Sequence, residues 1–221
     1  MTTKFGTPSG PVRSLDYGDH SVYFLPRHGE ALDIPPHAIN YRANLQALAD
    51  LGVQVVVALN TVGVITPVAR PGQVAVPDQL IDYTSGRAHS LYDGGGPLDH
   101  IDFTLPFTEA LRQGLLEAGR RAEIVVHDGG TYAVTQGPRL ETAAEVDRLE
   151  RDGADFVGMT AMPEASLARE LGLEYACLSL VVNHAAGRGE QSIHEDLEAS
   201  TMTAKMQAIK LLRVFFGETE E

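Results

Sequence analysis

The chain has no tryptophan, a single cysteine and few positive charges, and each scarcity excludes a class of protein. Cys177 has no second cysteine to pair with, so an internal disulfide is impossible and a secreted, disulfide-stapled scaffold is excluded. Seventeen Lys and Arg residues against thirty Asp and Glu residues give a formal net charge of −13. We therefore expect no general attraction to nucleic-acid backbones or to anionic lipid surfaces.

Long hydrophobic runs are also missing. No window approaches the roughly 18 apolar residues of a membrane-spanning helix, and residues 1–16 lack the apolar core of a secretory signal. These absences predict a soluble, cytoplasmic protein. The 221 residues, of which 43% are hydrophobic, are enough to bury one sizeable core. Cys177 falls within an apolar run and is predicted to be a buried, unreactive thiol.

Strand and helix patterns alternate from about residue 20 onward. The run VQVVVAL at residues 53–59 is nearly all apolar and β-branched, which predicts a strand covered on both faces. Gly52 and Gly119 are placed to end the helices that precede them. The pattern predicts a single α/β domain over residues 1–221, with helices flanking a mixed, mostly parallel sheet. Strands are expected at residues 20–26, 53–59, 73–76, 124–126, 130–135, 155–158 and 175–182, helices at 40–51, 107–118, 142–151, 164–171 and about 195–216, and a short loop at 92–97.

Polar residues follow several of these strands. In open α/β sheets, ligands bind beyond the carboxyl ends of the strands, so residues at those positions are candidates for a site. Arginine offers a planar fork of donors that suits phosphate, and His, Asn and Thr can complete an anion cradle. Each residue alone also fits a surface turn or an Asx turn, but together they favour a ligand site. The candidates are Arg27, His28, Asn60, Thr61, Thr160, Asn183 and His184.

Glu141 stands just before a predicted helix, where the helix dipole favours a carboxylate, and Thr142 is a candidate N-cap. A role in helix initiation and a role in a site are both open for Glu141.

Metal and nucleotide signatures are absent. The eight histidines are scattered, and no His-Glu-x-x-His or Cys-x-x-Cys spacing occurs. A group of Asp93, Asp99 and Asp102 near His89 and His100 fits a solvated loop better than a cation site. The three glycines at residues 94–96 are not followed by Lys-Ser/Thr or by a helical pattern, which argues against a phosphate loop.

Several segments resemble, in order, the trimeric purine nucleoside phosphorylases, and among them the branch that acts on methylthioadenosine or methylthioinosine. The resemblance runs from about Phe5 to Phe216. Its most specific portions are LPRHG at 25–29, PPHAINYRAN at 35–44, PG at 71–72 with PDQLID at 77–82, GPRLE at 137–141, VGMT at 157–160 and PE at 163–164.

The resemblance implies an α/β nucleoside phosphorylase fold and a pentosyltransferase activity. Such enzymes cleave the N-glycosidic bond of a purine nucleoside with inorganic phosphate as co-substrate, and they need no metal or organic cofactor. By resemblance, phosphate is held by Arg27, His28, Asn60, Thr61 and Thr160.

Two positions of the resemblance bear on the base. Asn183 occupies the position whose donor stabilises the leaving purine at N7, where relatives acting on 6-aminopurines carry aspartate. Glu141 would accept a hydrogen bond from N1–H of a 6-oxopurine, and adenine has no proton there. Leu140 stands where many relatives stack a phenylalanine on the base. The resemblance therefore implies release of hypoxanthine, with Asn183 as the catalytic donor.

The 5′ end of the ribose is assigned by the same resemblance. Met159 would lie under the ribose, and Met202 on the last helix would line an apolar 5′ pocket. His100 would reach the 5′ pocket of a neighbouring subunit, which implies a homotrimer, although an ordinary loop histidine is equally open. The implied reaction converts S-methyl-5′-thioinosine and phosphate into hypoxanthine and 5-methylthioribose 1-phosphate, in purine salvage.

One departure from the family pattern leaves alternatives open. Relatives begin with a further strand and a Gly-Gly-Thr/Ser-Gly loop that holds phosphate, and we expect both to be absent from this domain. The alternatives are phosphorolysis of S-methyl-5′-thioadenosine or of purine nucleosides in general, and a purine-binding subunit without turnover. Loss of an inner strand would also expose a sheet edge.

Overall fold

The protein folds around one mixed sheet of seven strands, seen in a computed structural model that describes residues 1–17, 20–94, 99–189 and 197–217. The order of the strands across the sheet is β5-β7-β8-β3-β9-β4-β6. Four of the six strand pairs are parallel and two, β3 with β8 and β4 with β9, are antiparallel. The predicted mixed, mostly parallel sheet is confirmed. The strands are β3 (Val55–Val64), β4 (Val74–Val76), β5 (Gln79–Asp82), β6 (Val126–Asp128), β7 (Thr131–Val134), β8 (Phe156–Gly158) and β9 (Glu174–His184).

A separate hairpin precedes the sheet. It consists of β1 (Arg13–Tyr17) and β2 (His20–Phe24), which pair antiparallel with each other. The predicted strand at residues 20–26 therefore exists but lies outside the seven-stranded sheet. A 3-10 turn at Pro36–Ala38 then leads into the first helix.

Helices cover both faces of the sheet. One apolar cluster joins the sheet to α1 and α4, a second joins it to α2 and α5, and α3 packs through a smaller third cluster. None of the helices in the described ranges is long and apolar enough to cross a bilayer. The helices are α1 (Tyr41–Asp50), α2 (Glu109–Arg121), α3 (Ala143–Arg151), α4 (Ala161–Glu170) and α5 (Leu197–Phe215).

The β3–β9 ladder is the longest strand pairing described in the sheet. The two strands pair in parallel from Val55 with Glu174 to Val64 with His184, and the register shifts by one residue between Val62 and Gly63. On its other side β3 pairs with β8 only at Gly63 and Val64. Val55 and Leu59 are exposed, so the first half of β3 has an open edge and an open face within the described residues.

Two strands run further than the sequence pattern predicts. Residues 60–63 and 183–184, predicted to follow strands, lie inside β3 and β9 because the ladder between these strands continues through them. β9 is buried from Tyr175 to Val182, but the prediction that β3 is covered on both faces is wrong at Val55 and Leu59. The helices on that face, α2 and α5, pack on β9 and β4 instead.

The two glycines predicted to end helices behave differently. Gly52 follows the C-cap of α1 with φ +79°, as a left-handed helix end requires. Gly119 does not end α2, which continues to Arg121. A Cβ at Gly119 would lie 2.4 Å from Val126 Cγ2, so this glycine lets the helix approach β6 closely. The predicted loop at 92–97 falls partly on residues 95–98, and the predicted start of α5 on residues 195–196, all outside the described residues.

Candidate functional site

Arg27 lies at the centre of a buried polar cluster beside β3. Its Nε donates to Glu164 Oε2 at 2.9 Å and its Nη2 to Glu164 Oε1 at 2.7 Å, a bidentate pair. Its Nη1 donates to the Leu59 carbonyl at 2.6 Å, on the open edge of β3. The side chains of Arg27 and Glu164 are 15% and 6% exposed. Contacts with the described residues thus use three of the five N–H groups of the guanidinium, which leaves two for a ligand.

The cluster extends inward through Tyr175 and Cys177. The Tyr175 hydroxyl donates to Glu164 Oε1 at 3.0 Å, and the Cys177 thiol lies 3.7 Å from that hydroxyl. Burial raises the pKa of the Cys177 thiol to about 12 and holds the pKa of Tyr175 well above its usual range. Burial lowers the pKa of Arg27, but the Glu164 carboxylate more than offsets this, so the net shift is upward. The predicted buried thiol is confirmed, and the guanidinium stays charged.

The other predicted phosphate ligands lie next to Arg27 in the chain, inside β3 and at the start of α4. His28 Nδ1 is 2.9 Å from the Ile34 carbonyl; a proton donated there leaves Nε2 for a ligand. Asn60 is buried on β3, where its amide lies beside the Cys177 thiol and makes no other hydrogen bond within the described residues. Thr61 is exposed on the opposite face of the strand. Thr160 is buried at the N-cap of α4, one turn before Glu164.

Glu141 does not serve as the helix-start charge. Thr142 is the N-cap of α3 and forms a capping box with Glu145, whose carboxylate accepts from the Thr142 backbone N–H. Glu141 instead accepts a hydrogen bond from Thr135 Oγ1 at 2.6 Å, at the end of β7. The interpretation of Glu141 as a dipole-stabilised charge is therefore wrong, and its carboxylate lies at the end of the sheet. Thr142 as a cap is confirmed.

Asn183 lies on β9, three strands across the sheet from β7 and the Thr135–Glu141 contact that follows it. It pairs with Gly63 across the ladder, and its amide nitrogen is 3.0 Å from where a Cβ of Gly63 would stand. Gly63 pairs in turn with Val157, next to Gly158, whose carbonyl accepts from the Thr135 backbone N–H at 2.8 Å. The pairing thus connects Asn183, through Gly63 and Val157, to β8 and β7, the strands next to the Thr135–Glu141 contact. The Asn183 amide also donates to the His184 carbonyl at 2.6 Å.

The segment after β8 contacts the loop after β7. A Cβ at Gly137, which has φ +61°, would lie 2.5 Å from the sulfur of Met159. The Met159 side chain therefore packs directly on the backbone before Glu141. Leu140 is exposed in the same loop.

Within the described residues, no contact joins Met202 or His100, two residues predicted for the 5′ pocket, to Glu141 or Asn183. Met202 lies on the exposed face of α5, and the residues just before that helix are outside the described part of the chain. His100 is exposed in a loop. Their assignments stay predictions.

The acidic loop around residues 82–102 is held by ordinary loop contacts. Asp102 accepts from the Thr104 backbone N–H at 2.9 Å, and His89 Nδ1 lies 3.4 Å from Asp82 Oδ2. Within the described ranges, no three His, Cys, Asp or Glu side chains are grouped as a metal site would require.

Two residues that organise the site, Glu164 and Arg87, were not assigned a role from the sequence. Glu164 is the one charged side chain within the apolar stretch AMPEASLA, and such a charge indicates a buried partner. Arg87 donates from its guanidinium to the carbonyls of Gln136, Met159 and Met162. It lies in a polar loop, and nothing in its local sequence indicates these contacts.

The chain is similar in sequence to purine-metabolising phosphorylases. A family model described as the phosphorylase superfamily matches residues 1–216. A relative from Pseudomonas syringae pathovar tomato, named as a probable S-methyl-5′-thioinosine phosphorylase, is 53% identical over 85% of this chain and 77% of its own length. The 6-oxopurine nucleoside phosphorylase of Pyrococcus furiosus is 41% identical over 93% of this chain and 81% of its own length.

The fold is similar to that of solved phosphorylases. The crystal structure of a methylthioadenosine phosphorylase from an antarctic soil metagenomic library superposes with a TM-score of 0.92 at 32% identity. The match covers 97% of this chain and 76% of that one.

Proposed function

The chain belongs to the phosphorylase superfamily, and from this membership we propose that it cleaves a 6-oxopurine thionucleoside with phosphate. The substrate is S-methyl-5′-thioinosine, and the products are hypoxanthine and 5-methylthioribose 1-phosphate. The enzyme is then a pentosyltransferase of purine salvage.

The choice of base rests on the side chains present at two positions, the carboxylate of Glu141 beside Thr135 and the amide of Asn183 on β9. A carboxylate accepts and an amide can donate, which complements the N1–H donor and the O6 and N7 acceptors of hypoxanthine. Adenine presents an acceptor at N1, so an ionised Glu141 would face an unpaired acceptor and disfavour it. The names of the two relatives, which specify thioinosine and 6-oxopurine nucleosides, support the same base.

Phosphate would bind beside Arg27, with His28, Asn60 and Thr160 as further ligands. The Thr61 side chain lies on the opposite face of β3 from Asn60, so we do not include it among these ligands. The two remaining N–H groups of Arg27 and the buried amide of Asn60 can donate to phosphate oxygens. Glu164 holds the Arg27 guanidinium in one orientation. Because the donors are already oriented, little free energy is lost in ordering them when phosphate binds.

During the reaction a phosphate oxygen forms a bond to C1′ as the C1′–N9 bond breaks. The electron pair of that bond leaves with the purine. Negative charge therefore develops on the purine ring, and positive charge develops transiently on the ribose. An N–H of Asn183 donated to N7 or O6 stabilises that charge, and the anionic phosphate stabilises the ribosyl cation. Proton uptake by the departing base completes hypoxanthine.

The remaining features follow the family resemblance. We propose that Met159 and Met202 form an apolar surface for the methylthioribose and that Leu140 contacts the base. A homotrimer would place His100 at the 5′ pocket of a neighbouring subunit. The proposed reaction uses phosphate as co-substrate and no metal or organic cofactor, and we place it in the cytoplasm.

The direct test is phosphorolysis by the purified protein. With inorganic phosphate we expect hypoxanthine from methylthioinosine, a strict dependence on phosphate, and much slower release of adenine from methylthioadenosine. The structural relatives named methylthioadenosine phosphorylases favour the alternative base, so preferential cleavage of methylthioadenosine would show that the assignment of Glu141 and Asn183 is wrong. Calorimetric binding of hypoxanthine with no turnover of either nucleoside would indicate the purine-binding alternative.

The contact between Gly137 and Met159 gives a second prediction. We expect Gly137→Ala to lose about 1–2 kcal/mol of unfolding free energy from its left-handed backbone and to displace Met159, raising KM for the nucleoside. Gly172→Ala is the matched control, since Gly172 has φ +69° and no atom lies within 4 Å of the position that a Cβ would take there. Equal KM values in both variants would contradict a role for Met159 under the ribose.

A further inference from the structure

Arg87 joins three separate segments at the end of the sheet. Its Nη1 donates to the Met159 carbonyl at 2.8 Å and to the Met162 carbonyl at 2.6 Å. Its Nη2 donates to the Gln136 carbonyl at 2.9 Å, and its Nε to the Gln136 side-chain oxygen at 3.2 Å. The guanidinium also lies 5.7 Å from the centre of the Tyr41 ring, on α1. One side chain therefore ties the loop after β7 to the segment after β8.

The partners of Arg87 distinguish it from Arg27 and Arg112. Arg27 and Arg112 each pair with carboxylates, whereas the hydrogen bonds of Arg87 within the described residues go to carbonyl, amide and hydroxyl oxygens. Backbone carbonyls in irregular segments need donors when they are buried, and a guanidinium supplies five in a rigid plane. Because that plane is rigid, the bonds to Gln136 and to Met159 fix the separation of the two segments.

These segments carry opposite sides of the proposed substrate site. Gln136 directly precedes the loop with Gly137 and Glu141, and Met159 directly precedes Thr160. We propose that Arg87 is a positioning residue that sets the distance between Glu141, on the base, and Met159 and Thr160, on ribose and phosphate. The expected effect on the kinetics of the nucleoside rests on the proposed function. A misplacement of about 1 Å in such a site can cost on the order of a hundred-fold in rate.

The first experiment measures the clamp without using catalysis. Hydrogen exchange is compared in the wild-type protein, Arg87→Met and Arg87→Lys, at the backbone amides of residues 135–141 and 158–162. We expect faster exchange at both segments in Arg87→Met and an intermediate rate in Arg87→Lys, since lysine keeps donors but cannot bridge both segments. Unchanged exchange at either segment would overturn the proposal, whether or not the protein proves to be a phosphorylase.

The second experiment separates positioning from a general loss of stability. Arg112 is the matched control, because it also donates to backbone carbonyls, those of Val76 and Pro77, between α2 and β4. We expect Arg87→Met to raise KM for methylthioinosine about ten-fold to a hundred-fold. Arg112→Met should leave that KM unchanged at a similar loss of melting temperature.

Equal KM changes in the two variants would reduce Arg87 to a structural role and overturn the proposal. If Arg87→Met does not fold, the same comparison is made between Arg87→Lys and Arg112→Lys. If the wild-type protein has no activity on methylthioinosine, the proposed function fails while the exchange result still decides the clamp.

Discussion

Replacing Asn183 with aspartate is expected to shift the base preference from hypoxanthine toward adenine. A protonated aspartate can donate to N7 of adenine and accept from its amino group, whereas an ionised aspartate only accepts and so opposes the O6 and N7 acceptors of a 6-oxopurine. Loss of a hydrogen bond that strengthens with charge on the base costs about 1.5–3 kcal/mol. We therefore expect kcat/KM for methylthioinosine to fall about ten-fold to a hundred-fold, while that for methylthioadenosine rises. Steady-state kinetics on both nucleosides at saturating phosphate measures the change.

Asn183→Ala is the control for that shift. It removes the donor without adding an acceptor, so both nucleosides should lose activity and their ratio should move less than in Asn183→Asp. The position of Asn183 beside Gly63 leaves room for either replacement. An unchanged ratio in Asn183→Asp would mean that the base is recognised elsewhere.

Replacing Glu164 with glutamine is expected to weaken the fold and the binding of phosphate together. The substitution keeps the size of the side chain but leaves the Arg27 guanidinium, 15% exposed, without its counter-charge. Breaking such a buried pair costs about 3–5 kcal/mol of unfolding free energy. In a domain of this size that loss corresponds to a melting temperature lower by roughly 6–20 °C. The freed guanidinium also loses its fixed orientation, so KM for phosphate should rise.

Glu109→Gln is the matched control for Glu164→Gln. Glu109 also pairs with a buried arginine, Arg112, but its own side chain is 57% exposed and Arg112 keeps its bond to Asp128. Exposed ion pairs contribute about 0–1 kcal/mol, so this variant should unfold close to wild type and keep its KM for phosphate. Chemical denaturation compares the two. Equal stability of both variants would contradict the importance assigned to the Arg27–Glu164 pair.

The sequence predicted the elements that have a strong local pattern. The β-branched run before Leu59 identified β3, and the capping residues of α3 identified its start at Thr142. The pattern failed where tertiary pairing decides. Asn60 and Gly63 are typical of loops, but they remain in β3 because β9 pairs beside them. The polar strand β1 was missed because its apolar residues do not alternate clearly and it pairs only with β2.

The site was predictable to the extent that its residues follow strands or match family segments. Arg27, Asn183 and Glu141 were predicted as site residues in this way, although for Glu141 a role in starting a helix was also open. Their supporting residues were harder to predict, because Glu164 and Arg87 act on partners that are 137 and 72 positions away in the chain. Spacing along the sequence carries no signal for such contacts.

The register shift in the β3–β9 ladder has a consequence for how base preference can change. In an unbroken register Val182 would face Gly63, and Asn183 would lie opposite the branched side chain of Val64. The extra residue in β9 is a bulge, and it delivers Asn183 to the one neighbour that has no Cβ. Insertion or deletion of a single residue near Val182 can therefore change which side chain meets the base. Among relatives of this chain, the length of β9 between Leu180 and Asn183 should matter for specificity as much as the identity of residue 183.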